Sequence, residues 1–262
     1  MQDHPIGIFD SGIGGTSIWK ELHRLLPNEP TIYLADSKNA PYGEKSHKEI
    51  IALSVKNTEF LLNKKCKLIV VACNTATTNA IGYLRSTYSV PFIGIEPAIK
   101  PAALQSRTKK VGILATKGTL SSALFHKTSS LYDEGIEIIQ QEGHGLVALI
   151  EAGKIATDET RNLLYAYLQP MLNKGIDHLV LGCTHYPYLI PEIKKIIPPE
   201  IKIIDSGEAV AKQTKAVLEA LQLNNITISP PKHQFYSNAD EKILNRFLEG
   251  EQGDINISYL NF

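Results

Sequence analysis

Leu68-Ile69-Val70-Val71-Ala72-Cys73-Asn74-Thr75 is a short apolar run, rich in β-branched residues, that ends in a cysteine followed by small polar residues. The chain uses the same device again at His178-Leu179-Val180-Leu181-Gly182-Cys183-Thr184-His185. Only three cysteines occur in 262 residues, and two of them hold this matching position, 110 residues apart. Both runs read as strands, and each hands its thiol to the turn that follows.

Working outward from these strands, two further matches appear in order. Ile6-Gly7-Ile8-Phe9-Asp10-Ser11-Gly12 answers to Val111-Gly112-Ile113-Leu114-Ala115-Thr116-Lys117-Gly118-Thr119, and Pro91-Phe92-Ile93-Gly94-Ile95 answers to Ile201-Lys202-Ile203-Ile204-Asp205. Strands are expected at 5–9, 31–35, 67–72, 92–95, 110–115, 136–140, 178–182 and 201–204, with a weaker one at 234–237. Helical patterns lie between them at 16–26, 46–63, 77–88, 120–132, 146–153, 158–173, 188–197 and 207–221, with a short one near 240–249. Alternation of this kind specifies an α/β fold with largely parallel sheets. Two homologous halves are expected, with a boundary near Glu96–Ala102. Open α/β sheets hold ligands beyond the carboxyl ends of their strands. Two facing halves would therefore enclose a cleft lined by Asp10, Ser11, Cys73, Asn74, Thr116, Cys183, Thr184 and His185.

Composition narrows the function classes. Lys and Arg total 27 against 27 Asp and Glu, so no basic field is available to nucleic acid or anionic lipid. A hydrophobic share of 43% and a charged share of 21% fit a globular chain, and no apolar run is long enough to span a bilayer. No secretory signal precedes the first strand, and the odd cysteine count suits reduced thiols. A cytoplasmic protein is expected.

Two strand-end thiols on opposite sides of one cleft suit acid–base chemistry. One thiolate could remove a proton from a carbon acid while the opposing thiol delivers one to the other face. Each cysteine precedes a helix start, whose unpaired N–H groups favour negative charge. The competing reading is two small buried hydrophobes; Cys66, which lies before its strand without polar neighbours, fits that role alone. In Asp10-Ser11-Gly12-Ile13-Gly14-Gly15-Thr16 the nucleotide fingerprints fail: Ser17 stands where a third glycine is required, and no P-loop lysine follows. The glycines permit close backbone approach to a ligand, with Asp10 available to an ammonium and Ser11 to a hydrogen bond. Either side chain could equally cap the next helix. Ala40-Pro41-Tyr42-Gly43 is a loop offering a tyrosine and a backbone N–H to a carboxylate. His185 lies close enough to Cys183 to share its site. No C-x2-C or H-x3-H spacing supports zinc, so no metal is expected.

Taken together, Asp10-Ser11-Gly12-Ile13-Gly14-Gly15, Pro41-Tyr42-Gly43, Ala72-Cys73-Asn74-Thr75-Ala76 and Gly182-Cys183-Thr184-His185-Tyr186-Pro187 resemble the glutamate racemases of the cofactor-independent aspartate/glutamate racemase superfamily. The resemblance implies two pseudo-symmetric, flavodoxin-like α/β domains with mainly parallel sheets facing across a cleft. It places residues 1–96 and 210–262 in the first domain and 97–209 in the second. It also implies interconversion of L- and D-glutamate for peptidoglycan synthesis, without a cofactor. Cys73 and Cys183 would be the acid/base pair, assisted by Asp10 and His185. Asp10-Ser11, Pro41-Tyr42-Gly43, Asn74-Thr75, Thr116 and Thr184-His185 would bind substrate, with Glu151 a further cleft carboxylate. Thr184-His185 resembles the glutamate branch, and family members are commonly homodimers. Only five residues precede the first strand core, so an N-terminal activator-binding extension is not expected. An aspartate racemase or decarboxylase of the same scaffold, a pyridoxal enzyme, and a non-catalytic amino-acid clamp are the alternatives.

Overall fold

The computed structural model describes residues 2–132, 135–227 and 229–262. Its strands, among the described residues, form two sheets in which every pairing is parallel. The first sheet contains β1 (Ile6–Asp10), β2 (Thr31–Ala35), β3 (Leu68–Val71) and β4 (Phe92–Gly94). The second contains β5 (Lys110–Ala115), β6 (Glu137–Glu142), β7 (His178–Gly182) and β8 (Lys202–Ile204). Two late strands, β9 (Lys232–Ser237) and β10 (Asp254–Tyr259), extend the first sheet, giving the order β10-β9-β2-β1-β3-β4 against β6-β5-β7-β8. Without the late strands the two orders are the same.

The duplication extends to register. Ile6 pairs with Leu68, and Val111 pairs with His178, the equivalent positions of the second copy. Strand periodicity then fixes the orientation of each cysteine. Ile69, Val71 and Cys73 share one packed cluster, while Leu179, Leu181 and Cys183 share another. The third sequence match is offset by one residue. Ile69 pairs with Phe92 and Leu179 with Ile203, so Phe92 answers to Ile203 rather than Lys202.

The helices on the first half are α1 (Thr16–Leu25), α2 (His47–Asn63), α3 (Asn74–Thr87) and, returning from the far end of the chain, α10 (Gly207–Ala220), which packs on α1. The second half carries α4 (Ile99–Gln105), α5 (Lys117–Leu120), α6 (Ala123–Ser130), α7 (Leu146–Glu151), α8 (Asp158–Asn173) and α9 (Ile190–Ile193); α11 (Glu241–Leu248) joins β9 to β10. The largest apolar cluster runs from Ile8, Trp19 and Leu22 through to Ile150, Leu181 and Tyr186, so one continuous core holds the halves together. Each fully buried aliphatic there contributes about 1.5–3 kcal/mol.

Three expectations need correction. The helix expected at 77–88 begins at Asn74, because Cys73 caps it: the Ala76 N–H donates to the Cys73 sulfur at 3.4 Å. The one expected at 120–132 is two helices, since Ser122 accepts from the Phe125 N–H and starts a new one. The helix expected at 188–197 is a 3-10 turn over Tyr186–Leu189 followed by the single turn α9; Pro187 and Pro191 lack the N–H groups that a longer helix needs. Helix α4 and edge strand β10 were not expected; β10 alternates polar residues with Ile255, Ile257 and Tyr259, and its two isoleucines pack half-buried on the core. No helix among the described residues is long and apolar enough to cross a membrane.

Candidate active site

The carboxyl ends of β1, β3, β5 and β7 converge, and the loop after β1 sets the geometry. Asp10 is wholly buried; its Oδ2 accepts from the N–H groups of Gly12 (3.1 Å) and Gly15 (3.0 Å). The Tyr33 hydroxyl donates to the Gly12 carbonyl at 2.9 Å. So anchored, the loop lies flat against the second half. A Cβ at Gly12 would overlap the Glu151 carboxylate, and one at Gly14 would overlap the His185 ring. This contact explains the two glycines. The loop's amides are engaged by carboxylates, Gly12 and Gly15 by Asp10 and Ile13 by Glu151, and form no phosphate cradle.

On one side of this loop, Cys73 leaves β3 as the N-cap of α3. Its thiol donates to the Ser11 hydroxyl at 3.7 Å. Burial pushes the Cys73 thiol well above the usual range, and the negative Asp10 adds to the rise against the opposing Ala76 and Ser11 hydrogen bonds. Cys73 therefore rests protonated.

On the other side, Cys183 leaves β7 and meets His185, whose Nδ1 is 3.8 Å from the sulfur. The opposite ring nitrogen, Nε2, donates to Glu151 Oε1 at 2.6 Å. Glu151 Oε1 also accepts the Ile13 N–H at 2.8 Å, and its Oε2 accepts the Ser37 hydroxyl at 3.2 Å. Burial alone would lower the His185 pKa, but the hydrogen bonds and charges of Cys183 and Glu151 outweigh it and hold the ring well above its usual value. The imidazole is thus poised as a cation between a carboxylate and a thiol.

Asp10 joins the two sides. The Thr184 hydroxyl donates to its Oδ1 at 3.3 Å, and Ser17 donates to the Thr184 carbonyl at 2.9 Å. Burial pushes the Asp10 carboxyl up, opposed by His185 and the two loop amides. Asp10 does not cap α1, whose N-cap is Gly15 without a side-chain hydrogen bond; one of its oxygens holds the loop and the other meets Thr184. A second junction between the halves is a hydroxyl cluster, with Thr75 at 2.8 Å from Thr116 and 3.3 Å from Thr119.

Asn74 is 2% exposed, yet neither its Nδ2 nor its Oδ1 has a partner. A buried amide without partners costs about 1–3 kcal/mol, which a polar ligand would recover. Cys73 and Cys183 are 4% and 6% exposed, so both thiols are buried.

Asp10, Ser11, Cys73, Asn74, Thr75, Thr116, Glu151, Cys183, Thr184 and His185 are thus brought to one place, with Pro41 and Gly43 at its rim beside Thr116. Tyr42 is a correction: its hydroxyl is not free for a carboxylate but donates to buried Asp36. Cys183 is another, since the turn after it is too short to supply an α-helix N-terminus. Glu151, singled out from sequence only as a helical carboxylate, is the centre of the contact between the halves. Sequence reading missed Tyr33, Asp36, Ser37 and Thr119. Asp36 and Ser37 carried a signal, since they follow β2 as Asp10 and Ser11 end β1. Cys66 packs on Gly7 and Leu61 away from the cleft, and burial pushes its thiol up to about 12. Among the described residues, no group of three His, Cys, Asp or Glu side chains could hold a metal ion.

Comparison with known proteins shows the family and the fold. The Asp/Glu/Hydantoin racemase family matches residues 6–214. A glutamate racemase of Herpetosiphon aurantiacus is 45% identical over 240 residues, spanning 92% of this chain and 94% of the relative. The crystal structure of a glutamate racemase isoform from Bacillus anthracis superposes with a TM-score of 0.87 at 30% identity, covering 98% of both chains. That of Escherichia coli glutamate racemase, in complex with L-glutamate and the activator UDP-MurNAc-ala, gives 0.87 at 32% identity, again covering 98% of each.

Proposed function

This chain belongs to the Asp/Glu/hydantoin racemase family, and from that premise we propose that it interconverts L- and D-glutamate by two-thiol proton transfer. The observation that carries the mechanism is the pair of buried strand-end cysteines on either side of the Asp10 loop, each with its own polar partner. Cys183, facing His185, acts as the base and takes the α-proton from one enantiomer. Cys73, the resting thiol, delivers its proton to the opposite face of the same carbon. The sulfur charges are then exchanged, which readies the site for the reverse reaction. Roles that swap with direction are what general acid–base catalysis requires here.

A carbanion beside a carboxylate needs donors already in place. Unpartnered Asn74 is the first candidate, with Ser11, Thr75, Thr116 and Thr184 around it. Closure of the halves excludes water and strengthens these interactions. We assign residues 1–96 and 210–262 to the first domain and 97–209 to the second, so that the cleft is the domain boundary. We further infer a cytoplasmic homodimer that supplies D-glutamate for peptidoglycan.

Proton NMR of L-glutamate, then D-glutamate, with cofactor-free protein in deuterated water tests this reading. Loss of the α-proton signal with growth of the opposite enantiomer is expected from either start. Exchange with aspartate but not glutamate would move the chain to another branch of the family, and binding without exchange would make it a clamp.

A further inference from the structure

Asp36 is wholly buried at the end of β2, yet it touches neither thiol and plays no part in the proton transfer. Its Oδ2 accepts the Tyr42 hydroxyl, which in turn accepts from Asn57 Nδ2 at 3.2 Å. Its Oδ1 accepts Asn39 Nδ2 at 2.7 Å and also Asn238 Nδ2. Asn238 lies 202 residues further along the chain. It follows β9, which runs parallel to β2 with Ser237 opposite Ala35, so the chain emerges at the same edge of the sheet as the cleft. Its own side-chain oxygen accepts the Lys38 N–H at 2.9 Å, and its N–H donates to the Ala35 carbonyl at 3.3 Å. One asparagine thus grips the 36–39 turn through both ends of its amide and is 4% exposed while doing so.

That turn feeds two parts of the site. Ser37, beside Lys38, donates to Glu151. Gly43, next to the Tyr42 that Asp36 holds, lies against Thr116 and Gly118 of the second half. We propose that Asn238 is a positioning residue for racemisation: through Asp36 and Lys38 the C-terminal segment sets the Tyr42–Gly43 loop that receives substrate. A paired amide grip of this kind acts on binding, because it fixes a loop without approaching the α-carbon. The C-terminal strands are therefore part of the active-site architecture and not only an added sheet edge. This proposal rests on the reading of Tyr42–Gly43 as a substrate loop.

The test compares the full-length wild type with Asn238→Ala and, as a control on the same strand, His233→Ala. His233 packs on Trp19 and His23 at the opposite end of β9, so its loss loosens the strand without touching the turn. Two readouts are used: KM against kcat for glutamate, and the initial rate of tryptic cleavage after Lys38 and Lys45, which flank the loop. Asn238→Ala should raise KM about fivefold or more, the worth of a lost buried hydrogen bond, with kcat within about twofold. It should also speed cleavage at those two lysines alone. His233→Ala should lower Tm by a similar amount and leave both readouts unmoved. Unchanged kinetics and cleavage in Asn238→Ala, or equal shifts in His233→Ala, would overturn the proposal. Should Asn238→Ala not fold, Asn238→Ser, which keeps a hydrogen-bonding group, is read by the same criteria. A wild type that racemises no glutamate would overturn the functional reading instead, and the cleavage rates would still decide whether Asn238 holds the loop.

Discussion

Cys73 and Cys183 end equivalent strands in equivalent register, yet their surroundings share little. Cys73 opens a 14-residue helix and caps it with its own sulfur; Cys183 stands two residues before His185, which opens a 3-10 turn containing Pro187. Burial and the nearby Asp10 carboxylate hold the first as a thiol, against its hydrogen bonds to Ala76 and Ser11. A histidine cation backed by Glu151 faces the second. The duplicated scaffold carries two thiols in equivalent positions, and on the proposed mechanism their different partners, Asp10 and Ser11 beside Cys73 and His185 beside Cys183, set their roles apart. On that mechanism the symmetry of the scaffold gives access to both faces of a carbon, and the asymmetry of the partners distinguishes the two thiols.

Removing either sulfur breaks the comparison outright. Cys73→Ala and Cys183→Ala should each cost at least about 10³-fold in racemisation, within the range for a positioned acid or base, with circular dichroism unchanged. Near wild-type turnover in either variant would end the two-thiol account.

Asp10→Asn and His185→Asn sharpen it, each with an expected loss of about 10²-fold. The equilibrium constant of a racemisation is one, so kcat/KM must stay equal in the two directions even in these variants. The difference must appear in the isotope effect. With α-deuterated glutamate, Asp10→Asn should slow the step made by Cys73 and His185→Asn the step made by Cys183. Their larger isotope effects should therefore fall on opposite enantiomers. Equal effects on both enantiomers would mean that the two sides are not specialised.

A smaller effect, about tenfold, is expected for Glu151→Gln, together with a pH shift. His185 keeps its proton above its unfolded pKa of about 6.5, held up by Cys183 and Glu151. Its contribution to stability is therefore full below about pH 6.5 and is lost as pH rises through the folded value. Without the Glu151 charge, the alkaline limb of activity should move to lower pH. An unmoved limb would show that Glu151 serves only to close the cleft. Cys66→Ala should change activity least, within about twofold, because Cys66 lies at the start of its strand, the far edge of the sheet from the cleft.

The scaffold was readable in the sequence because parallel strands buried on both faces leave short apolar runs, and the repeat places them twice. Cys73, Cys183 and the Asp10 loop were legible for the same reason, as each sits at the end of such a run. What stayed hidden was how the halves touch. Nothing local to Leu149-Ile150-Glu151 shows that the Glu151 carboxylate meets Ile13, Ser37 and His185, which lie 138, 114 and 34 residues away. Tyr42 misled because a hydroxyl in a Pro-Gly loop resembles a free donor, while its partner Asp36 is buried beneath it. Strand β10 carried a signal of its own, since Ile255, Ile257 and Tyr259 alternate with Asp254, Asn256 and Ser258 as in a half-buried strand.

The most direct test of two opposed thiols is where solvent deuterium enters at early times. L-glutamate is incubated with the protein in deuterated water and stopped at a few per cent conversion, and the enantiomers are separated and weighed by mass spectrometry. Two bases on opposite faces predict deuterium in the D-glutamate formed and none in the recovered L-glutamate, with the pattern reversed from a D-glutamate start. Deuterium appearing in recovered substrate as fast as in product would mean that one base serves both faces, and the account built on Cys73 and Cys183 would fail.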